Sequence, residues 1–440
     1  MAGSYYLESL GCPKNQVDAE KLAGTLRADG YLAAGSADQA DLVVVNTCAF
    51  VEAARQESVD TILALAEARR PGARLVVTGC LAERYGTELA EALPEVDLVA
   101  GFGVPVTLGR APAARRALRV GDATGGRPVP AFDLLELPRP PAEAPWAYVK
   151  VAEGCDRRCG FCAIPSFRGA QRSRPVASVL TEVEALGPDV REVVLVAQDL
   201  ASWGLDRSDP DRGRRLEAKR RPLVELVGAL ADRVPRVRLL YLYPSSLDDE
   251  LVEAMVASGV PYFDLSLQHA SKALLRRMRR WGDGGRFLER IAAIREAAPE
   301  AALRSSFILG YPGETEEDHD ELLAFLAEAR LDWAGFFPFS EEPGTLAATA
   351  EAGDRVPPEL ALERLRECAE LQDAVTAERR SALVGETVDV LVDEPGVGRS
   401  HREAPEIDGI VHVPATMAVG AIGTVQVTGA AGPDLWAVPA

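Results

Sequence analysis

Three short apolar stretches near the start of the chain each run into a cysteine. They read "YYLESLGC", "LVVVNTC" and "LVVTGC", and end at Cys12, Cys48 and Cys80. The apolar residues fill strand-length windows at 5–10, 41–46 and 74–78, rich in Val and Leu. Helical patterns follow at 17–28, 52–68 and 82–93, with a further strand at 97–100. Alternation of this kind demands a parallel sheet, because each crossover returns the chain to the same edge. Cysteines placed after successive strands therefore converge at the carboxyl edge, where α/β domains bind ligands.

A second group is local: "EGCDRRCGFC" packs Cys155, Cys159 and Cys162 into one loop. With Cys368 the chain holds 7 cysteines, an odd number. No basic region followed by an apolar stretch opens the chain, so a secreted disulfide framework is not expected. Metal or cluster ligation is the better reading. A 4Fe–4S cube offers an iron to each of four ligands, so three thiolates leave one iron open. Structural zinc wants four ligands, and no fourth Cys or His lies close in sequence. Unmetallated buried thiols remain the bland alternative. No apolar run is long enough to span a membrane, and the cytoplasm is the expected location.

Residues 121–145, "GDATGGRPVPAFDLLELPRPPAEAP", read as an interdomain linker with a short element of its own around 132–137. Six strand windows follow, at 147–152, 192–197, 238–242, 262–267, 303–309 and 334–339, separated by helical patterns. Six repeats predict a partial (β/α)6 barrel, with its chemistry at the carboxyl ends of the strands. Those ends carry Cys155, Gln198, Asp199, His269 and Gly310. A helix over 358–383 leads to a final segment of short alternating strands, enough for a five-stranded barrel of the oligonucleotide-binding type. The expected fold class is thus α/β: a parallel-sheet domain (1–120), the linker (121–145), a partial barrel with its following helices (146–378) and a small all-β barrel (379–440).

The formal net charge of −19 disfavours broad nucleic-acid binding and suits a basic partner. The terminal barrel sets Arg399 and Arg402 against Glu386, Asp389, Asp393, Glu394, Glu403, Glu406, Asp408 and Asp434. It reads as a docking surface for a basic protein. A local basic cluster at Arg212, Arg214, Arg215, Lys219, Arg220 and Arg221 is either a solvated loop or a contact surface.

"CDRRCGFC" resembles the signature of radical S-adenosylmethionine (SAM) enzymes. That resemblance implies a 4Fe–4S cluster on Cys155, Cys159 and Cys162, whose open iron chelates SAM for cleavage to methionine and a 5′-deoxyadenosyl radical. It also implies SAM contacts at Phe161, at Gln198 and Asp199, and at Ile308 and Gly310 in "FILGYPGET". "SLGCPKNQVDAEKLAG", "VVVNTCAF" and "VVTGC" resemble the cysteine motifs of methylthiotransferases, in which Cys12, Cys48 and Cys80 would hold a second 4Fe–4S cluster. "AIPSFRG", "SLQHAS" and the terminal barrel extend the likeness over nearly the whole chain. Gln16 and Ala49 stand where Leu and Gly are expected, but neither is a ligand position.

Within that family, "SLGCPKN", "IPSFRG", "LQHAS" and "REAPEIDG" resemble the branch that modifies the β-carbon of an aspartate in a small-subunit ribosomal protein. Enzymes acting on an adenosine in the tRNA anticodon loop more often read "VPYTRG" and carry basic terminal barrels. The resemblance implies an electron donor such as flavodoxin or ferredoxin. Removing the β-hydrogen of an aspartate by a radical avoids the pKa problem facing a general base. His319, His401 and His412 therefore read as structural, His269 as the exception at a strand end, and Cys368 as packing. Arg276, Arg277, Arg279 and Arg280 read as a solvated helix face, with ribosomal RNA contact as the alternative. tRNA methylthiolation, and a zinc-stabilised module docking on ribosomes without catalysis, are the competing functions.

Overall fold

A computed structural model describes residues 3–106, 133–206 and 221–440. The first unit is built from β1 (Ser4–Ser9), α1 (Pro13–Ala28), β2 (Leu42–Thr47), α2 (Glu52–Ala68), β3 (Arg74–Gly79) and α3 (Cys80–Ala92). Its strands pair in parallel as β1-β2-β3, and two-residue strands at Leu32–Ala33 and Leu98–Val99 extend the sheet at its edges. Every residue of β2 is buried, as a central parallel strand covered on both faces must be. Helix α1 begins earlier than its apolar periodicity suggested, because Pro13 supplies a preset first turn.

The described end of the linker is docked rather than loose. Leu134 and Leu135 are buried, and Lys21 Nζ donates to the Leu135 carbonyl at 2.7 Å. The short element expected near 132–137 is a turn. Residues 121–132, and the basic cluster from Arg212 to Arg220, lie outside the described residues. Arg221 is described, and donates to the Ser246 carbonyl at 3.0 Å.

The central unit alternates β4 (Trp146–Lys150), α4 (Val176–Ala185), β5 (Glu192–Val196), α5 (Pro222–Ala231), β6 (Arg236–Leu239), α6 (Asp249–Ala257) and β7 (Tyr262–Gln268). It continues with α7 (Lys272–Arg277), α8 (Gly284–Ala297), β8 (Ala302–Leu309), α9 (Glu316–Ala329) and β9 (Trp333–Pro338). Two parallel three-stranded sheets, β4-β5-β6 and β7-β8-β9, are joined by a parallel bridge between Leu242 and Leu265. The result is an arc of six strands with helices packed outside it. The expected partial barrel is what forms.

Helix α10 (Pro358–Ser381) leads to β10 (Thr387–Glu394), β11 (Val397–Arg399), β12 (Val411–His412), β13 (Ile422–Ala431) and β14 (Asp434–Pro439). These close a barrel in the order β10-β11-β12-β14-β13 around Val390, Val392, Val411, Val425, Val427 and Leu435.

The loop between β11 and β12 leaves this barrel and enters the amino-terminal end of the arc. Ala404 packs there against Tyr148, Val194, Leu240, Tyr262 and Trp333. Tyr148 donates to the Pro405 carbonyl at 2.8 Å, and Trp333 Nε1 to the Arg402 carbonyl at 2.7 Å. "REAPEIDG" is therefore largely a plug. Glu403 is buried against Arg380, Asp408 receives the Tyr262 hydroxyl at 2.5 Å, and Asp393 pairs with Arg399 at 2.6 Å. Three acids counted toward a docking surface thus face inward, and so do both arginines.

Candidate active site

The three early cysteines meet as the parallel sheet requires. Cys12 caps α1, Cys48 follows β2, and Cys80 opens α3. Two glycines permit the approach. At Gly11 (φ +92°) a Cβ would stand 2.8 Å from the Cys48 Cβ; at Gly79 (φ +91°) it would stand 2.5 Å from the Thr47 carbonyl oxygen. Asn15 ties the edge together, its Nδ2 donating to the carbonyls of Leu10 at 3.0 Å and Thr47 at 2.9 Å. Burial pushes the Cys48 thiol up to about 12 and raises Cys80 as well. Burial acts on Cys12 too, but Lys14 and the Asn15 N–H outweigh it, so that thiol is lowered.

The second set lies at the carboxyl end of the arc. Cys155, Cys159 and Cys162 share one loop, with the Cys162 N–H on the Cys159 carbonyl at 3.2 Å. Burial raises Cys155 to about 11 and Cys162 to about 12, and the neighbouring Cys159 adds to both. Of the expected SAM contacts, two are brought to this loop. Gln198 Nε2 donates to Glu153 Oε1 at 2.8 Å, and Asp199 Oδ2 accepts Arg157 Nε at 2.6 Å. Among the described residues Gln198 Oε1 and Asp199 Oδ1 are buried without a partner, as expected of groups awaiting a polar ligand. Phe161 packs half-buried on the central core. Gly310 follows β8, and its neighbour Tyr311 reaches Gly160. Ile308 is half-buried on β8 and packs on the same core as Phe161.

Between the two sets runs a buried ionic bridge. Arg168, 4% exposed, follows the short helix Ile164–Phe167 and lies over the Phe102 ring at 4.1 Å. Its Nη1 reaches Asp18 at 2.9 Å and Glu153 at 3.0 Å; its Nη2 reaches Asn15 at 2.6 Å and Cys80 Sγ at 3.0 Å. Lys150 adds a second cation beside Asp18 and Glu153. Burial alone would raise the Glu153 carboxyl, but Arg168 and Lys150 hold it at about 2. Cys80, Arg168, Glu153 and Gln198 thus form a polar chain from the first cysteine set to Glu153, two residues before Cys155, and on to Gln198.

Sequence reasoning singled out none of Asn15, Asp18, Lys150, Glu153 or Arg168 as site residues. Lys150 carried a signal, being a charge inside the apolar strand "AYVKV". Arg280 is a correction. Read as part of a solvated face, it turns inward over Tyr243 at 4.2 Å, with Nη1 3.5 Å from Cys159 Sγ. The histidines are structural: His319 meets Glu367 at 2.7 Å, His401 the Glu300 carbonyl at 2.9 Å, and His412 stacks on Trp436. His269 is fully buried, its Nδ1 accepting the Ser271 N–H, and burial lowers it to about 3. Cys368 is buried packing.

Among the described residues no three Cys, His, Asp or Glu side chains close to the spacing of a single ion. An ion such as zinc needs every thiolate at about 2.3 Å. A four-iron cube takes one ligand per iron and accepts a wider triangle. All-thiol sets beside cations, with orphaned buried oxygens nearby, fit a cluster and a polar cosubstrate.

Residues 149–326 match the Radical SAM superfamily, residues 384–439 the TRAM domain, and residues 4–101 the Uncharacterized protein family UPF0004. The fold and the three-thiol loop define a radical SAM enzyme, a class that works with SAM and 4Fe–4S clusters. "Ribosomal protein uS12 methylthiotransferase RimO" from Moorella thermoacetica is 43% identical over 427 residues, 96% of this chain and 95% of that protein. Its namesake from Kineococcus radiotolerans is 42% identical, covering 99% of this chain and 97% of that protein. The chain belongs to the ribosomal protein uS12 methylthiotransferase family. Among solved structures, the radical SAM methyltransferase TsrM from Kitasatospora setae superimposes with a TM-score of 0.49 at 15% identity, covering 85% of this chain and 89% of that one. Nothing further rests on that distant likeness.

Proposed function

We propose that this enzyme adds a methylthio group to the β-carbon of an aspartate in ribosomal protein uS12, with Cys155, Cys159 and Cys162 holding one 4Fe–4S cluster and Cys12, Cys48 and Cys80 a second. When bound, the first would supply SAM cleavage and the second would present sulfur. The observation carrying this reading is the pair of three-thiol sets at the carboxyl edges of two parallel sheets, with Arg168 bonded both to Cys80 and to Glu153, two residues before Cys155. Gln198 and Asp199 would meet the SAM amino group with their unpartnered oxygens, and Phe161, Ile308 and Gly310 would flank the adenine. Arg157 and Lys150 hold the carboxylates of this end in place. Electrons would come from a low-potential carrier such as flavodoxin or ferredoxin, in the cytoplasm.

The terminal barrel supports a basic protein as substrate over an RNA. Glu386, Asp389, Glu394 and Glu406 stay exposed, whereas Arg399 and Arg402, the only Arg or Lys after residue 384, are turned inward. No cation is left on that face for phosphates. Mass spectrometry of a deletion strain tests the choice: uS12 lighter by one methylthio group, with tRNA unchanged. Loss of a methylthioadenosine with uS12 unaltered would establish the tRNA alternative.

Iron content tests the ligand assignment. Anaerobically reconstituted wild-type protein should hold about eight irons, and the Cys12→Ala/Cys48→Ala/Cys80→Ala variant about four while still cleaving SAM. Four irons in the wild type would sink the two-cluster reading.

A further inference from the structure

Helix α1 lays one face against the arc, made of Lys14, Val17, Asp18 and Lys21 at the i, i+3, i+4, i+7 spacing. Three of the four are buried and matched. Val17 joins one apolar cluster with Tyr148 and Val196, Asp18 meets Lys150 and Arg168, and Lys21 pairs with Glu182 at 3.0 Å. Lys14 differs. It is half-buried, its Nζ stands 3.5 Å from the centroid of the Tyr241 ring, and among the described residues it meets no carboxylate and no other hydrogen-bond acceptor. The other cations of this region each bond an oxygen: Arg157 on Asp199, Lys150 and Arg168 on Asp18, and Arg280 on the Ser266 carbonyl. Tyr241 reaches the ammonium from a left-handed backbone, φ +66°, with its N–H held by Asp264 Oδ2 at 3.0 Å. Strain of that kind collects at sites that hold a ligand.

We propose that Lys14 binds the side-chain carboxylate of the substrate aspartate and thereby places its β-carbon between the two cysteine sets. The inference rests on the function proposed above and names the group that holds the reacting side chain. Lys14 lies two residues past Cys12. Tyr241 lies two residues before Tyr243, over whose ring Arg157 of the other cysteine loop stands at 3.8 Å. The ammonium is thus where first domain and arc meet, on the path from one set to the other. The β-carbon of aspartate is one bond from the carboxyl carbon, so fixing the carboxylate leaves the β-hydrogens little freedom. A carboxylate brought among thiolates is disfavoured unless a cation answers it, and an ammonium already leaning on a ring is held ready to do so. The carboxylate of SAM is the rival anion. The groups assigned to SAM, Gln198 and Asp199, stand beside the Cys155 loop, whereas Lys14 belongs to the Cys12 side. Lys14 makes and breaks no bond; it binds and orients.

The test is a double-mutant cycle on reconstituted full-length enzyme, wild type against Lys14→Met, with uS12 carrying either the target aspartate or asparagine in its place. Affinity is measured without SAM, for uS12 free and in small ribosomal subunits, and KM and kcat with SAM. Wild type should prefer the aspartate form by about tenfold or more, the range of a charge-assisted hydrogen bond. Lys14→Met should lose that factor on the aspartate form and nothing on the asparagine form, so that the preference closes. Lys14→Arg should restore most of it, and iron content and the KM for SAM should not move. Equal losses on both forms of uS12 overturn the proposal, because the lysine is then structural. A raised KM for SAM, with the preference intact, assigns Lys14 to the SAM carboxylate and overturns it too, as does loss of iron in Lys14→Met and Lys14→Arg alike. A wild-type enzyme that neither binds nor modifies uS12 in either setting overturns the functional reading itself, and this inference with it.

Discussion

Replacing Arg168 by methionine should cost the protein about 3–5 kcal/mol of stability, the range for breaking a buried ionic network by removing one partner. The guanidinium bonds Asp18, Glu153, Asn15 and Cys80 at once, and both carboxylates are left behind when it goes. Urea or thermal unfolding of the apoprotein reads the loss directly. Arg168→Lys separates stability from function, since it keeps the charge without the planar fork. One ammonium cannot span two carboxylates, an amide and a thiolate. We expect this variant to fold, but to lose iron from the Cys12, Cys48 and Cys80 set faster on gel filtration. The measurement is clean in a Cys155→Ala/Cys159→Ala/Cys162→Ala background, where only that set remains. The midpoint potential of that set should also fall, because a cation bonded to a ligand sulfur favours the reduced state. Unchanged iron retention and unchanged potential would make the contact with Cys80 incidental.

The cysteines were legible because strand–helix alternation fixes where strand ends go. Once β1, β2 and β3 are parallel, Cys12, Cys48 and Cys80 have nowhere else to lie. The arc of six strands was legible for the same reason. Arg168 was not, because its partners come from α1, from the loop after β4 and from α3, and no periodicity links those positions. Composition also misled at the terminal barrel. Glu403 and Asp408 count as acidic surface in a sequence, but each answers a buried donor from outside the barrel's strands, Arg380 on α10 and Tyr262 on β7. Arg280 differs from Arg276 only in direction, and that direction is set by a left-handed turn at Arg279 that no residue-type preference announces.

Glu192→Gln should also destabilise by about 3–5 kcal/mol at neutral pH, and the loss should depend on pH. Glu192 is fully buried at the start of β5, with Arg238 at 2.7 Å, Arg399 at 3.3 Å and Arg236 at 4.0 Å. Arg399 comes from the terminal barrel, so this carboxylate fastens the plug to the arc. Burial alone would raise its pKa, but Arg238 and Arg399 outweigh burial and hold it at about 2, against an ordinary value of 4.5. A carboxyl lowered by folding contributes its full stability above about pH 4.5, and that contribution is lost as pH falls toward about 2. The gap between wild type and Glu192→Gln in urea midpoint should therefore be full at pH 7, narrower at pH 3.5 and nearly closed at pH 2. A gap that stays constant across that range would mean the amide disturbs packing rather than charge. The plug also predicts how the protein unfolds. Because "REAPEIDG" fills the end of the arc, the variant should release the terminal barrel and the central unit together, seen as one transition by tryptophan fluorescence (Trp333 and Trp436 report the two units).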